Sequence, residues 1–195
     1  MLQRLADRAA HELKNPLNGA VLNVEVVRQR ARRPGVDAST LVPYAEAAAA
    51  ELGRAAERID ALLTLARPAH APVDLIAVLE PLGALYGAIA AQTGGEVRIE
   101  HLQTAVMESD AEPDAVRFAL AAVLDAAVAD ANVRCRLDGR GERWAVEIRC
   151  AQGDIALLAS VRRAIVDAGM MLSDVEHGIV ILFPRSSRGR TDGAE

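Results

Sequence analysis

Six consecutive residues, His11-Glu12-Leu13-Lys14-Asn15-Pro16, hold the densest chemistry in the chain. A neutral imidazole nitrogen is a good nucleophile near pH 7, and an adjacent carboxylate can fix its tautomer or take its proton. Lys14, one turn later, supplies a positive charge able to balance a phosphoryl group. Proline inside a helix removes one backbone hydrogen bond and crowds the carbonyl four residues earlier, here that of Glu12, at a cost of about 3 kcal/mol. His11 lies two positions before Leu13, roughly 200° around a helix, and is expected to face away from an apolar stripe through Leu13 and Leu17. Taken singly, a helical histidine is a polar surface residue and an internal Asn-Pro is a kink. The six together at this spacing call for a function.

The elements that must carry this segment follow from the apolar spacing. Leu2, Leu5, Ala9, Leu13, Leu17, Val21, Val24 and Val27 recur at helical intervals, and Arg33-Pro34-Gly35 closes that helix. Asp37, Ser39 and Thr40 offer caps, and Pro43 fits the first turn of a second helix running to about Arg67. Its apolar face holds Leu52, Ala56, Ile59, Leu63 and Ala66. Two long helices joined by a short turn form an antiparallel hairpin, and stripes this long call for a second hairpin, giving a four-helix bundle from two chains. Arg28, Arg30, Arg32 and Arg33 read as its solvated tip.

Ala66–Pro72 reads as a linker. Beyond it a helix is expected over Leu75–Gln92, a strand at Val97–Leu102 and a helix from Pro113 with Val116, Leu120, Val123, Leu124 and Ala127 inward. Val133, Cys135 and Leu137 alternate with polar residues, as do Trp144, Val146, Ile148 and Cys150 across Gly139 and Gly141, which predicts a β-hairpin. Asp154 can cap a further helix ending at Gly169, and Gly178–Phe183 is a last strand. The order predicts a small α/β sandwich, an antiparallel or mixed sheet with helices on one face. The domains are therefore residues 1–67, an all-α hairpin, and 73–185, the sandwich, with 186–195 a disordered tail.

Composition sets the outer limits. The 195 residues are 51% apolar and 25% charged with a net charge of −5, which excludes whole-chain disorder and disfavours wrapping nucleic acid. Five aromatic residues against 39 alanines imply a core of closely approaching helices and aliphatic side chains. Two cysteines without CxxC spacing read as reduced core residues, and His70, His101 and His177 lack ligand spacing, so no metal site is expected. No apolar run is long enough to span a bilayer and Met1 leads directly into a charged helix, so no membrane partner and a cytoplasmic location are expected.

The HELKNP segment opening a helical hairpin resembles the H-box of the dimerisation and histidine-phosphotransfer domain of two-component sensor histidine kinases. The resemblance implies His11 as phosphoacceptor, Glu12 as the acidic neighbour that serves as base in autophosphorylation, and Asn15 as the polar position that orients water in phosphatase activity. It extends to Val73-Asp74-Leu75, to Glu112-Pro113-Asp114-Ala115-Val116 with the helix after it, and to the final strand ending in Phe183-Pro184, which look like parts of the catalytic ATP-binding domain. Active kinases carry two asparagines four apart on that helix; the aligned residues here are Ala122 and Ala126, and a methyl group coordinates neither metal nor phosphate. Where a kinase has D-x-G-x-G, this chain has Ala151-Gln152-Gly153-Asp154.

These departures imply a degenerate kinase-like domain without ATP binding. The expected function is a histidine phosphotransferase that passes phosphate between response-regulator receiver domains through His11, with no intrinsic cofactor and with Mg2+ supplied by the receiver. The absence of a sensor or membrane segment before His11 agrees with an intermediate relay. A pseudokinase acting as phosphatase or adaptor through Asn15 comes second, a divergent or excised kinase third and a purely structural bundle last.

Overall fold

A computed structural model describes residues 2–101, 106–130 and 132–187, with the side chains of residues 2–9, 11, 12 and 130 outside the description. The chain divides into two compact units, residues 1–64 and 65–195.

In the first unit, α1 (Leu2–Ala31) and α2 (Val42–Ala66) form the hairpin. Asp37 accepts from the Ser39 backbone N–H at 2.9 Å and caps a 3-10 turn at Ala38–Thr40, after which α2 begins with Pro43 in its first turn. α1 runs through Pro16 without a break. Among the described side chains, the single hairpin buries Pro16 and Ala20 of α1 and Ala48, Ala55 and Ala61 of α2, with Leu13 half-buried. Leu17, Val21 and Val24 stand exposed, as do Leu52, Ile59 and Leu63. Small side chains let helices approach closely, and the larger aliphatic groups are displaced to a flank. At the tip, Arg28 pairs with Glu25 at 2.8 Å and Arg30 lies 4.5 Å over the Tyr44 ring.

The second unit is the α/β sandwich. Asp74 caps α3 (Leu75–Ala91) by accepting from Ile76 N–H at 3.0 Å, and Glu112 caps α4 (Pro113–Ala127) by accepting from Ala115 N–H at 2.6 Å. The main sheet contains β2 (Glu96–His101), β4 (Asn132–Arg140), β5 (Arg143–Cys150), β6 (Met171–Val175) and β7 (Gly178–Pro184), in the order β2-β4-β5-β7-β6. Only β2 and β4 run parallel, so the sheet is mixed. Val133, Cys135 and Leu137 are buried while Arg134 and Arg136 are exposed, the alternation of a sheet with one covered face. Tyr86 on α3 donates to the Ala121 carbonyl on α4 at 3.1 Å, tying the two helices together over the core.

Several elements depart from the sequence reading. α5 covers only Ala159–Asp167, and Asp154 does not cap it: Ile155 is buried, which holds the chain extended for four residues before the helix can begin. β1 (Val73–Asp74) and β3 (Glu108–Ser109), which pair antiparallel, and the edge strand β6 were not foreseen. The predicted strand at Val97–Leu102 is β2, whose described residues end at His101. Ser186 and Ser187, expected in a disordered tail, are held by backbone N–H bonds to the Glu108 carbonyl at 2.9 Å and to Asp110 Oδ2 at 3.0 Å. The rest of that tail lies outside the described residues.

Both cysteines are buried and neither is in a disulfide. Burial, with a smaller contribution from the neighbouring Cys150, pushes the Cys135 thiol up to about 12. It therefore stays protonated in the folded state where an unfolded thiol ionises. Its contribution to stability should be complete below about pH 9 and be lost progressively toward pH 12. Folded protein at pH 8 should leave Cys135 unreactive to a thiol reagent until urea unfolds it; rapid labelling in the native state would contradict this burial.

Candidate functional site

Position 11 is held by the middle of α1, and helical geometry fixes the face it occupies. At about 100° per residue, position 11 lies about 180° around the helix from Ala20, which is buried against α2. Asn15, Asn18 and Leu22 fall within an arc of about 60° that includes position 11. All three are exposed, Leu22 at 67%. Lys14, also exposed, lies on the border of this arc toward Leu17 and Val21. The backbone of His11 and Glu12 is helical, but their side chains lie outside the description, so the expected neighbourhood of imidazole and carboxylate is not among the described contacts.

Pro16 belongs to the opposite side. Its ring is buried in the hairpin, and lacking an N–H it leaves the Glu12 carbonyl without its ordinary helical donor. A polar backbone atom is thus freed beside position 11. Position 11, Asn15, Asn18 and Leu22 share one face of the helix, and an imidazole is the one nucleophile of the segment at neutral pH.

The second expected site centres on α4. Ala122 is buried and Ala126 half-buried, both on a helix whose Val116, Leu120, Val123 and Leu124 pack into the core. Neither offers an oxygen or nitrogen to a metal ion or a phosphate. After β5 the segment Ala151-Gln152-Gly153-Asp154 turns outward, with His177 Nδ1 3.1 Å from the Gly153 carbonyl and 3.8 Å from the Asp154 carboxylate. At the two positions that the resemblance aligns with nucleotide-binding asparagines, the helix presents methyl groups, one buried and one half-buried. Among the described residues no group of three or more His, Cys, Asp or Glu is placed to hold a metal ion, and no described helix is long and apolar enough to cross a membrane.

Sequence reasoning missed a different feature. A cavity of about 600 Å³ lies at the turn end of the β4–β5 hairpin, lined among others by Glu108, Arg143, Trp144 and Arg185. Its residues come from three places in the chain, and no local spacing announces them.

Residues 1–71 match the family described as His Kinase A (phospho-acceptor) domain. The resemblance read from His11-Glu12-Leu13-Lys14-Asn15-Pro16 is thereby borne out: over the hairpin, the chain is similar to histidine kinase phospho-acceptor domains. No curated protein sequence matches the chain. Among solved structures, a bacterial phosphotransferase aligns with a TM-score of 0.52 and 12% identity, over 91% of this chain and 92% of that one. The Acinetobacter baumannii histidine kinase AdeS aligns with a TM-score of 0.48 and 15% identity, over 91% of this chain and 98% of that one. Histidine kinase ThkA, in complex with response regulator protein TrrA, aligns with a TM-score of 0.48 and 14% identity, over 97% of this chain and 63% of that one. The likeness to the phosphotransferase is one of fold, a helical part followed by an α/β sheet, as the sequence predicts.

Proposed function

We propose that this chain is a histidine phosphotransferase of a two-component phosphorelay, moving phosphate between receiver-domain aspartates through His11 without binding ATP. The observation that carries the reading is a pairing: a match to the phospho-acceptor family over the hairpin, and alanines, one buried and one half-buried, at positions 122 and 126 of α4. The step is an in-line displacement. A ring nitrogen of His11 attacks the phosphorus of a receiver's aspartyl phosphate, the P–N bond forms, and the aspartate oxygen leaves as carboxylate. Mg2+ bound by the receiver would neutralise charge on the phosphoryl oxygens. Transfer to the next receiver is the same step in reverse.

The residues around His11 have limited tasks in this scheme. Glu12 holds the imidazole tautomer, and Lys14, exposed one turn away, balances charge on the phosphoryl group. Asn18 and Leu22 offer a polar and an apolar contact to the receiver on the same face. Exposed Asn15 also supports a second reading, in which it positions water and the protein dephosphorylates or sequesters a receiver.

The exposed flank of the hairpin supports homodimerisation into a four-helix bundle, since Leu17, Val21, Leu52, Ile59 and Leu63 would otherwise remain in water. Sedimentation at micromolar concentration should give about twice the 20.7 kDa monomer mass. Leu63→Glu should shift the protein toward monomer, because an unpaired charge in such an interface costs several kcal/mol. A monomeric parent protein would refute the dimer.

Mixing the protein with a labelled phosphorylated receiver should produce an acid-labile, base-stable adduct. His11→Gln should abolish labelling and leave the helical circular dichroism unchanged, whereas Glu12→Ala should only slow it. Labelling that survives in His11→Gln would refute the site; faster receiver dephosphorylation with no adduct would favour the second reading. Calorimetric titration with magnesium ATP should show no binding, and micromolar affinity would restore the kinase reading.

A further inference from the structure

Within the first unit, one close contact fixes which residues of α1 and α2 stand at the same level. A Cβ on Gly19 would lie 3.1 Å from Cδ and 3.2 Å from Cγ of Glu51 on α2. The two helices run antiparallel, each rising about 1.5 Å per residue. Seven residues back along α1 and seven forward along α2 therefore bring position 12 level with Arg58, about 10.5 Å from the Gly19–Glu51 contact. Seven residues are nearly two whole turns, so direction is kept as well as level. Position 12 lies about 20° from Gly19 around α1, and Arg58 about 20° from Glu51 around α2. The buried residues agree: Pro16 lies between position 12 and Gly19 along α1, and Ala55 between Glu51 and Arg58 along α2.

A guanidinium on a helix face packed with alanine loses part of its hydration, and a carboxylate partner offsets that loss. Arg58 is half-buried and engaged in a polar or electrostatic contact. Its own helix offers no carboxylate at helical spacing: the residues three and four positions away are Arg54, Ala55, Ala61 and Leu62. Glu51 is paired with Arg54 at 2.6 Å, and Glu57 and Asp60 are exposed and turned away from the arc that holds Glu51, Ala55 and Arg58. On α1 the acidic residues are Asp7, Glu12 and Glu25, and of these Glu12 is the one level with Arg58.

We propose that Arg58 is a positioning residue for the chemistry at His11: its guanidinium pairs with the Glu12 carboxylate across the hairpin and fixes the group that orients the imidazole. This role rests on the reading of His11 as phosphoacceptor. Two parallel N–H donors of a guanidinium hold a carboxylate in one orientation, which the single ammonium of a lysine does not. The pairing also offsets part of the negative charge of Glu12. The neighbouring imidazole is then drawn less toward its protonated form and keeps a nucleophilic nitrogen at neutral pH.

The chain has four histidines, and His11→Gln identifies the His11 signal in a proton NMR titration of the full-length protein. Arg58→Gln should raise the His11 midpoint by about half a pH unit or more, because Glu12 regains its full charge. In a Glu12→Gln background the same substitution should move it by less than half as much, the mark of a residue acting through another. Arg58→Lys should give an intermediate midpoint, and provides the reading if the glutamine variant does not fold. Label transfer from a phosphorylated receiver should slow about threefold or more in Arg58→Gln, and the double variant should be no slower than Glu12→Gln alone. A parent protein that takes no label defeats the relay reading, while the titration still decides the pair. The proposal is overturned if the His11 midpoint is the same in folded Arg58→Gln and the parent protein, if the shift is equal in both backgrounds, or if Arg58→Gln transfers label at the parent rate.

Discussion

Close approach of backbones through alanine is the constraint on which both units depend. With only five aromatic residues, the chain cannot fill wide gaps between its elements with rings. The hairpin answers by burying Ala20, Ala48, Ala55 and Ala61, and α4 does so with Ala119, Ala121, Ala122 and Ala127. Two consequences follow from the same economy. On the hairpin, the larger aliphatic side chains are left on an exposed flank, available to a second copy. On α4, Ala122 is buried and Ala126 half-buried, and the helix is held by dispersion and apolar burial.

The division of chemistry between the units follows from these choices. A nucleophile on a long helix needs only a face, and α1 provides one opposite its buried line, with Asn15, Asn18 and Leu22 exposed around position 11. Nucleotide chemistry needs donors converging on a pocket, and in the proposed reading Ala122 and Ala126 supply none. The phosphoryl donor in this account is therefore a partner that brings its own activated phosphate.

Much of this was legible in the sequence where local periodicity decides structure. The hairpin helices, α3, α4 and the β4–β5 pair declare themselves by apolar spacing and by glycine or proline at their ends. β6 did not, because an edge strand with only partly buried residues has weak alternation, and β1 and β3 are too short for any period. Asp154 looked like a cap because its type fits; burial of Ile155, a tertiary effect, moved the helix start. Within one hairpin Pro16 and Ala20 are buried and Leu17 and Val21 are exposed, as a stripe expected to meet a second hairpin leaves them. The HELKNP segment was readable because its chemistry is contiguous. The cavity joining Glu108, Trp144 and Arg185 was not, because it exists only after β3, β5 and the end of β7 have met.

The source of a phosphoryl group on His11 separates a relay protein from a kinase. The direct measurement supplies the protein at once with a phosphorylated receiver and with magnesium ATP, isotopically labelling one source at a time, and locates the phosphoryl group by peptide mapping. For a phosphotransferase, label is expected at residue 11 when the receiver carries it and not when ATP does. Label reaching residue 11 from ATP, or settling on any other residue, would contradict it.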